Sequence, residues 1–215
     1  MKSHPVFPPF PVIWATGKNK PVLVVIAGPN GAGKTTFYEE RIAHKGFPFI
    51  NADLITKEME AKGEKVTDHE AAKIAETRRR EYVLKKRSFC LETVFSDMVG
   101  SKRQLLNDAQ KNGFYCFLIF IGLDQLETSR ARVFQRVSEG GHNVPDQKLK
   151  ERFPRTFDNL RKAIGFVDQT ILIDNSSFDN PYRLIATCVS GQVVQLFPPI
   201  PIWARDVLPL GWKVL

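Results

Sequence analysis

One segment near the start of the chain has the residue types and spacing that bind phosphate. In order, it consists of Gly28, Pro29, Asn30, Gly31, Ala32, Gly33, Lys34, Thr35 and Thr36. The stretch from Gly28 to Thr35 matches the P-loop pattern Gly-x-x-x-x-Gly-Lys-Ser/Thr, whose backbone N–H groups surround phosphate oxygens. In such loops the lysine contacts the β- and γ-phosphates and the threonine hydroxyl binds Mg²⁺. The segment therefore predicts a site for ATP or GTP, with Lys34 catalytic and Thr35 as the metal ligand.

Polar side chains follow the second and third predicted strands, at the points where these strands end. Asn51 and Asp53 follow the second strand, and Glu92 and Thr93 end the third. Ligands of open α/β sheets bind beyond the carboxyl ends of the strands, so we expect these four residues to contact substrate. Asp53 is the candidate base for an acceptor hydroxyl. Two alternatives stay open: Asp53 caps the following helix, and Glu92 is only a hydrogen-bonded polar residue at a strand end.

Cationic side chains are richest around residues 130–136, where they could contact transferring phosphate. Arg132 and Arg136 are four residues apart and share one face of a predicted helix. The turn after that helix contains His142, and the next helix contains Arg152 and Arg155. Two helices hinged at a glycine pair form a plausible lid over a triphosphate, and the bidentate, permanently charged guanidinium suits that role. The alternative is an ordinary solvated basic helix face.

Hydrophobic patterning indicates the elements that position these residues. Strands are expected at 21–27, 47–51, 88–94, 114–121 and 170–174, with a hairpin at 182–190 and 192–197. Helices are expected at 35–45, 53–61, 68–87, 101–112, 125–139 and 146–164. Alternating strands and helices predict an α/β P-loop NTPase fold, a mostly parallel sheet flanked by helices with a C-terminal β-hairpin. We expect a Pro-rich arm at 1–20, a kinase domain at 21–197 with its lid around 125–164, and a Pro/Trp tail at 198–215.

Length and composition narrow the class of protein. The 215 residues are 43% hydrophobic and 25% charged, with a net charge of +8, which excludes a largely disordered or collagen-like chain. No apolar run approaches the ~20 residues of a membrane span. The three cysteines lack the spacing of a zinc site or a disulfide framework. We therefore expect a cytoplasmic protein with reduced thiols, no membrane association and an anionic partner or substrate.

The ordered set of segments resembles the zeta toxin family, in its branch of small zeta-toxin-like P-loop kinases. The resemblance is carried by the P-loop, by residues 51–55, 76–79, 89–94, 131–133, 136–137 and 140–145, by Arg152 and Arg155, and by residues 174–176. It implies an adenylate-kinase-like core and ATP/Mg²⁺-dependent phosphorylation of a hydroxyl, which in the best-known toxins belongs to UDP-N-acetylglucosamine. It also implies Asp53 as the base, Lys34 as the phosphate lysine, acceptor contacts from Glu92 and Thr93, and lid cations at Arg132 and Arg136.

The charge distribution leaves two further hypotheses. Residues 73–87 hold seven Lys and Arg against two Glu, and residues 130–162 hold nine against four acids, so each segment carries +5. Such patches would suit a kinase or ATPase acting on nucleic acid, although the lid position of the second patch favours a pocket for ATP and a phosphorylated acceptor. The Pro/Trp segments instead suit a nucleotide-binding protein that works mainly through a protein partner, such as an antitoxin-like inhibitor.

Overall fold

A computed structural model describes residues 20–141 and 143–209. The strands are β1 (Val22–Ala27), β2 (Phe49–Ile50), β3 (Phe89–Thr93), β4 (Tyr115–Gly122), β5 (Gln169–Asp174), β6 (Arg183–Val189) and β7 (Gln192–Leu196). The helices are α1 (Lys34–Phe37), α2 (Ala52–Ala61), α3 (Asp68–Leu84), α4 (Ser101–Lys111), α5 (Leu126–Ser138), α6 (Asp146–Ile164) and α7 (Ile202–Val207). In this part of the chain the strands form one sheet, in the order β2-β3-β1-β4-β5-β6-β7.

The strand order reverses at β1, and this places the P-loop at the centre of the sheet. β1 lies between β3 and β4 and pairs with both in parallel. β2 through β5 keep this direction, whereas β6 and β7 run antiparallel as the expected hairpin. Crevices at such reversal points are the usual ligand sites of open α/β sheets. The predicted fold class is confirmed.

The core forms two layers, one on each face of the sheet. All six residues of β1 are buried, as expected for a parallel strand covered on both faces. Leu23 and Val25 face a layer completed by α2, α3, α4, α6 and α7, while Val24 and Ile26 face a layer that includes α1. A small separate cluster joins Val133 of α5 to residues 144 and 149, so the lid has its own apolar contacts.

Two segments differ from the sequence-based expectations. The helix expected at 35–45 is one α-helical turn, α1, followed by a π-helical turn (Tyr38–Ile42) and a 3₁₀ turn (Ala43–Lys45). The tail, expected to be extended, contains α7, whose Trp203 is buried against Phe120 and Phe157. The expected N-terminal arm lies outside the described residues except for its last position.

Cys90, Cys116 and Cys188 are buried and unpaired, as expected for reduced core thiols. Within residues 20–141 and 143–209, no helix combines the length and the apolar character needed to cross a bilayer.

Candidate active site

The P-loop connects β1 to α1 in a conformation that needs glycine at defined points. Gly28 and Gly33 have φ values of +151° and +84°, which L-residues with side chains rarely adopt. A Cβ atom on Gly28 would collide with the carbonyl oxygen of Ile121, the neighbouring residue on β4. A Cβ atom on Gly33 would lie 2.6 Å from the hydroxyl of Tyr182. The loop therefore lies against the sheet and against distant parts of the chain.

Side chains from distant parts of the sequence hold backbone carbonyl groups of the P-loop. Asn175 Nδ2 donates to the Ala32 carbonyl at 2.9 Å, and the Tyr182 hydroxyl donates to the Gly33 carbonyl at 2.8 Å. The Ser129 hydroxyl of α5 donates to the backbone carbonyl of residue 30 at 2.7 Å. These contacts fix the loop before a ligand binds. Sequence reasoning did not assign them to the site, and the one signal was the position of Asn175 directly after a predicted strand.

Lys34 is buried within the site and directed into the loop. Its ammonium group donates to the Pro29 carbonyl at 2.9 Å and lies 3.9 Å from a carboxylate oxygen of Glu92. Burial lowers the pKa of Lys34, and the positive charge of Arg136 acts in the same direction. The carboxylates of Glu92 and Asp53 raise this pKa. The predicted phosphate lysine therefore lies between the loop and the acidic residues of the site.

Glu92, at the end of β3, is hydrogen-bonded to two other predicted site residues. Its Oε2 atom accepts a hydrogen bond from the Thr35 hydroxyl at 2.8 Å and another from Asn51 Nδ2 at 3.0 Å. The carboxylate thus connects the P-loop, β3 and the start of α2. Its alternative interpretation as a hydrogen-bonded strand-end residue is compatible with these contacts, but its two partners are themselves predicted site residues.

The start of α2 shows which residue is the N-cap of this helix. Asn51 is the N-cap, because its side-chain oxygen accepts hydrogen bonds from the backbone N–H groups of Asp53 and Leu54 at 2.8 and 3.3 Å. The hypothesis that Asp53 caps this helix is therefore wrong. Asp53 instead lies in the first turn, and its carboxylate accepts no hydrogen bond from the described residues. That carboxylate is left available to the adjoining space.

Two adjoining cavities, of about 220 and 390 Å³, open beside the P-loop, and Asp53 and Arg136 border both of them. The smaller cavity is also bordered by Gly31, Lys34 and Glu92 and, on the lid side, by Lys148 and Arg152. The larger is also bordered by Thr35, Asn51, Leu54, Thr56, Lys57, Glu60 and Gly140 and Gly141. The smaller cavity thus brings the acidic residues of the sheet edge to the cations of the lid.

The lid arginines lie at two different places. Arg136 borders both cavities. One turn earlier, Arg132 is directed at the P-loop, since its Nη1 atom donates to the Gly31 carbonyl at 3.4 Å. The guanidinium of Arg132 also lies 4.8 Å from the ring centroid of Phe178, a cation–π contact. Partial burial lowers the pKa of Arg132, and its Nε atom is buried with no hydrogen-bond partner among the described residues.

Some predicted site residues have other contacts, and a lysine that borders a cavity was missed. The Thr93 hydroxyl accepts from the Phe95 backbone N–H at 3.0 Å, and Thr93 borders neither cavity. Arg155 also borders neither and lies 3.7 Å from a carboxylate oxygen of a neighbouring glutamate on α6. His142 lies outside the described residues. Lys148, which does border the smaller cavity, was not singled out because it belongs to an ordinary lysine-rich helix start.

A P-loop at the reversal point of a parallel sheet, facing two carboxylates and the basic residues of α5 and α6, is the arrangement of a small P-loop kinase. The model of one family, described as zeta toxin, matches residues 14–180. The chain therefore belongs to the zeta toxin family, and the resemblance inferred from the sequence is confirmed.

Several known proteins are similar to this chain in sequence or in structure. An uncharacterized protein of Haemophilus influenzae (strain ATCC 51907 / DSM 11121 / KW20 / Rd) is 27% identical over 133 residues, which are 60% of this chain and 91% of that protein. Among solved structures, AvrRxo1-ORF1:-ORF2 with ATP has a TM-score of 0.66 at 17% identity, covering 93% of this chain and 67% of that one. Its complex with sulphate ions matches over 66% of its chain, so our chain spans about two thirds of that protein.

A toxin of Streptococcus pneumoniae is also similar in fold. The structure of the PezAT chromosomal toxin-antitoxin system has a TM-score of 0.56 at 16% identity, covering 91% of this chain and 81% of that one. At such low identity the likeness shows the fold alone.

Proposed function

We propose that this protein transfers the γ-phosphoryl group of ATP, with Mg²⁺, to a hydroxyl of a small nucleotide-like acceptor. The observation that carries the proposal is the convergence of Asp53, Lys34, Glu92 and Arg136 on the smaller cavity beside the P-loop, which shares Asp53 and Arg136 with the larger one. ATP is chosen over GTP because a protein of similar fold was solved with ATP.

The chemistry follows from where the charges lie. The acceptor oxygen forms a bond to the γ-phosphorus while the bond from that phosphorus to the bridging oxygen of ADP breaks. Asp53 takes the hydroxyl proton, since its carboxylate borders both cavities and is free of hydrogen bonds from the described residues. Lys34, Arg132 and Arg136 stabilise the negative charge on the transferring group.

The residues near Thr35 fit a magnesium ion. Mg²⁺ prefers oxygen ligands, and in kinases it is held by one or two protein groups together with substrate phosphates. The Thr35 hydroxyl and the Glu92 carboxylate are hydrogen-bonded to each other at 2.8 Å, so they offer two oxygen donors at one point. In the described part of the chain no group of three His, Cys, Asp or Glu could hold a metal alone. When bound there, Mg²⁺ neutralises phosphate charge.

The larger cavity is the proposed acceptor site. It lies on the α2 side of Asp53 and is bordered by an apolar side chain, Leu54, and by the polar groups of Lys57 and Glu60. Such a mixture suits a ligand with hydroxyl groups and a flat apolar part, as in a nucleotide sugar. UDP-N-acetylglucosamine, the acceptor that the family resemblance implies, is the first compound to test.

The first basic segment does not favour nucleic acid as the acceptor. Most of its cations are paired with carboxylates rather than presented together to a polyanion. The pairs are Arg78 with Glu58, Arg79 and Arg80 with Glu76, and Lys85 with Glu81. Pairing of this kind leaves few charges to displace counterions from a phosphate backbone.

An inhibitory protein partner completes the proposal. Two proteins of similar fold were solved as complexes, the PezAT toxin-antitoxin system and AvrRxo1-ORF1:-ORF2. We therefore expect a second protein to restrain the kinase by covering the cavities or the P-loop.

The test is transfer of label from γ-³²P-ATP to UDP-N-acetylglucosamine, or to a mixture of nucleotide sugars, in the presence of Mg²⁺. Asp53→Asn should lower kcat by about 10²–10⁴-fold while ATP affinity stays within about twofold. Asp108→Asn on α4, away from both cavities, is the matched control and should retain full activity. Undiminished transfer by Asp53→Asn would remove the assigned base, and absence of any labelled small product would remove the proposed reaction.

A further inference from the structure

The outer edge of β7 is open in the described part of the chain. β7 pairs with β6 on one side, and no described residue pairs with its other side. The N–H and C=O groups along that side are therefore available to another strand. The hairpin turn at Ser190 and Gly191 has positive φ at both residues, which fixes β7 tightly beside β6.

The two edges of the sheet differ in how they are protected. β2, at the opposite edge, has only two residues and offers little backbone for pairing. β7 has five residues, and the whole stretch 184–204 lacks Asp, Glu, Lys and Arg although 25% of the chain is charged. Charged side chains are the usual means by which edge strands avoid contact with other strands. The β7 edge lacks this protection.

Exposed apolar side chains accompany this edge. Val194 is 54% exposed and forms a β-bulge, since Val193 and Gln195 pair with β6 and Val194 does not. Val189, at the neighbouring end of β6, and Phe197, directly after β7, are also exposed. The bulge bends the strand and shortens the length that can pair, so any association through it should be weak and concentration-dependent.

We propose that β7 pairs antiparallel with β7 of a second copy of this chain, which continues the sheet across a two-fold axis. Pairing centred on Val194 places this residue opposite its own copy, and Gln192 opposite Leu196. An isologous contact brings identical surfaces together, so a charge near its centre would meet a like charge. The neutral run 184–204 meets this requirement. The inference is independent of the kinase reaction.

The test is sedimentation of the full chain from about 5 to about 500 μM, a range that covers weak interfaces. We expect a monomer–dimer equilibrium that Val194→Lys weakens at least about tenfold, because two like charges would face each other. Val99→Lys, at another exposed valine in the loop after β3, is the matched control and should leave the equilibrium unchanged. Gln192→Lys is a second edge variant, and circular dichroism checks that each variant is folded.

Hydrogen exchange localises the contact. Amide protection of residues 192–196 should rise with protein concentration in the wild type and not in Val194→Lys. A wild type that stays monomeric throughout would overturn the proposal, whether its edge is exposed or covered by another segment of the same chain. Dimers that persist equally in both edge variants would also overturn it, because the contact would then lie elsewhere.

Discussion

Replacing Asn51 with aspartate separates the two roles of this side chain. Its oxygen caps α2, and its Nδ2 atom donates to Glu92 Oε2 at 3.0 Å. Aspartate is an equally good N-cap, so α2 and the position of Asp53 should be preserved. However, the substitution replaces the Nδ2 donor with a carboxylate oxygen, which lies beside the carboxylate of Glu92. Asn51→Ser is the matched control, because serine also caps helices but adds no charge.

The distance between the side chains of residue 51 and Glu92 sets the size of the repulsion in Asn51→Asp. Two unit charges 3.0 Å apart repel by about 1.4 kcal/mol at the dielectric constant of water and by about 5.5 kcal/mol at an effective value of 20. Both side chains are largely buried, so the true value lies between these limits. We expect Asn51→Asp to be about 1–5 kcal/mol less stable than Asn51→Ser at neutral pH, since the unfolded chain separates the two charges.

Urea unfolding at about pH 7 and about pH 4 measures the difference in stability between Asn51→Asp and Asn51→Ser. The repulsion favours proton binding by the folded Asn51→Asp variant, so its stability relative to Asn51→Ser should recover as the pH falls. Equal stability of the two variants at both pH values would show that residue 51 and Glu92 are not in contact, and the assembly of Thr35, Glu92 and α2 would have to be rejected with it.

Two further predictions concern the lid and α2. Lys148→Ala should raise KM for ATP or lower kcat about tenfold if this lysine contacts phosphate. Lys150→Ala removes a lysine that is paired with Asp146 at 3.2 Å, and it should change neither constant. Equal steady-state kinetics for both variants would count against the smaller cavity as the phosphate site. The Glu58 carboxylate accepts hydrogen bonds from Arg78 on α3 and from Lys62. These two contacts lower the pKa of Glu58 to about 2. Because the folded-state pKa is depressed, its stabilising effect is present above pH 4.5 and lost towards pH 2, so thermal unfolding of wild type and Glu58→Gln should converge on acidification.

Local patterns were sufficient for the parts of the site that one short segment determines. The P-loop was evident from eight consecutive residues, and the positions of Asp53 and Glu92 followed from the rule that parallel strands end at one edge. Both inferences depend on residues close in sequence or on a general property of sheets. The boundaries of the strands shifted by a residue or two without changing which side chains meet.

Other features could not be predicted because no local signal distinguishes them. Asn51 and Asp53 are both good N-caps, and the choice depends on α2 beginning one residue earlier than expected. The Thr93 hydroxyl holds a loop through a backbone contact that only the folded chain defines. Burial of Trp203 requires the close approach that Gly122 permits on β4, where any side chain would overlap the indole ring. Its Nε1 atom also needs Asp174, at 3.1 Å.

The hydrogen bonds from distant side chains to the P-loop carbonyl groups have a consequence for synthesis on the ribosome. Gly28 to Thr35 leave the ribosome early, but two of the side chains that hold their carbonyl groups, Asn175 and Tyr182, follow 143 and 149 positions after their partners. Contacts this distant in sequence form late, and the loop is only partly held until they do. A nascent chain that already displays the complete phosphate-binding motif should therefore retain ATP poorly until Tyr182 has been synthesised.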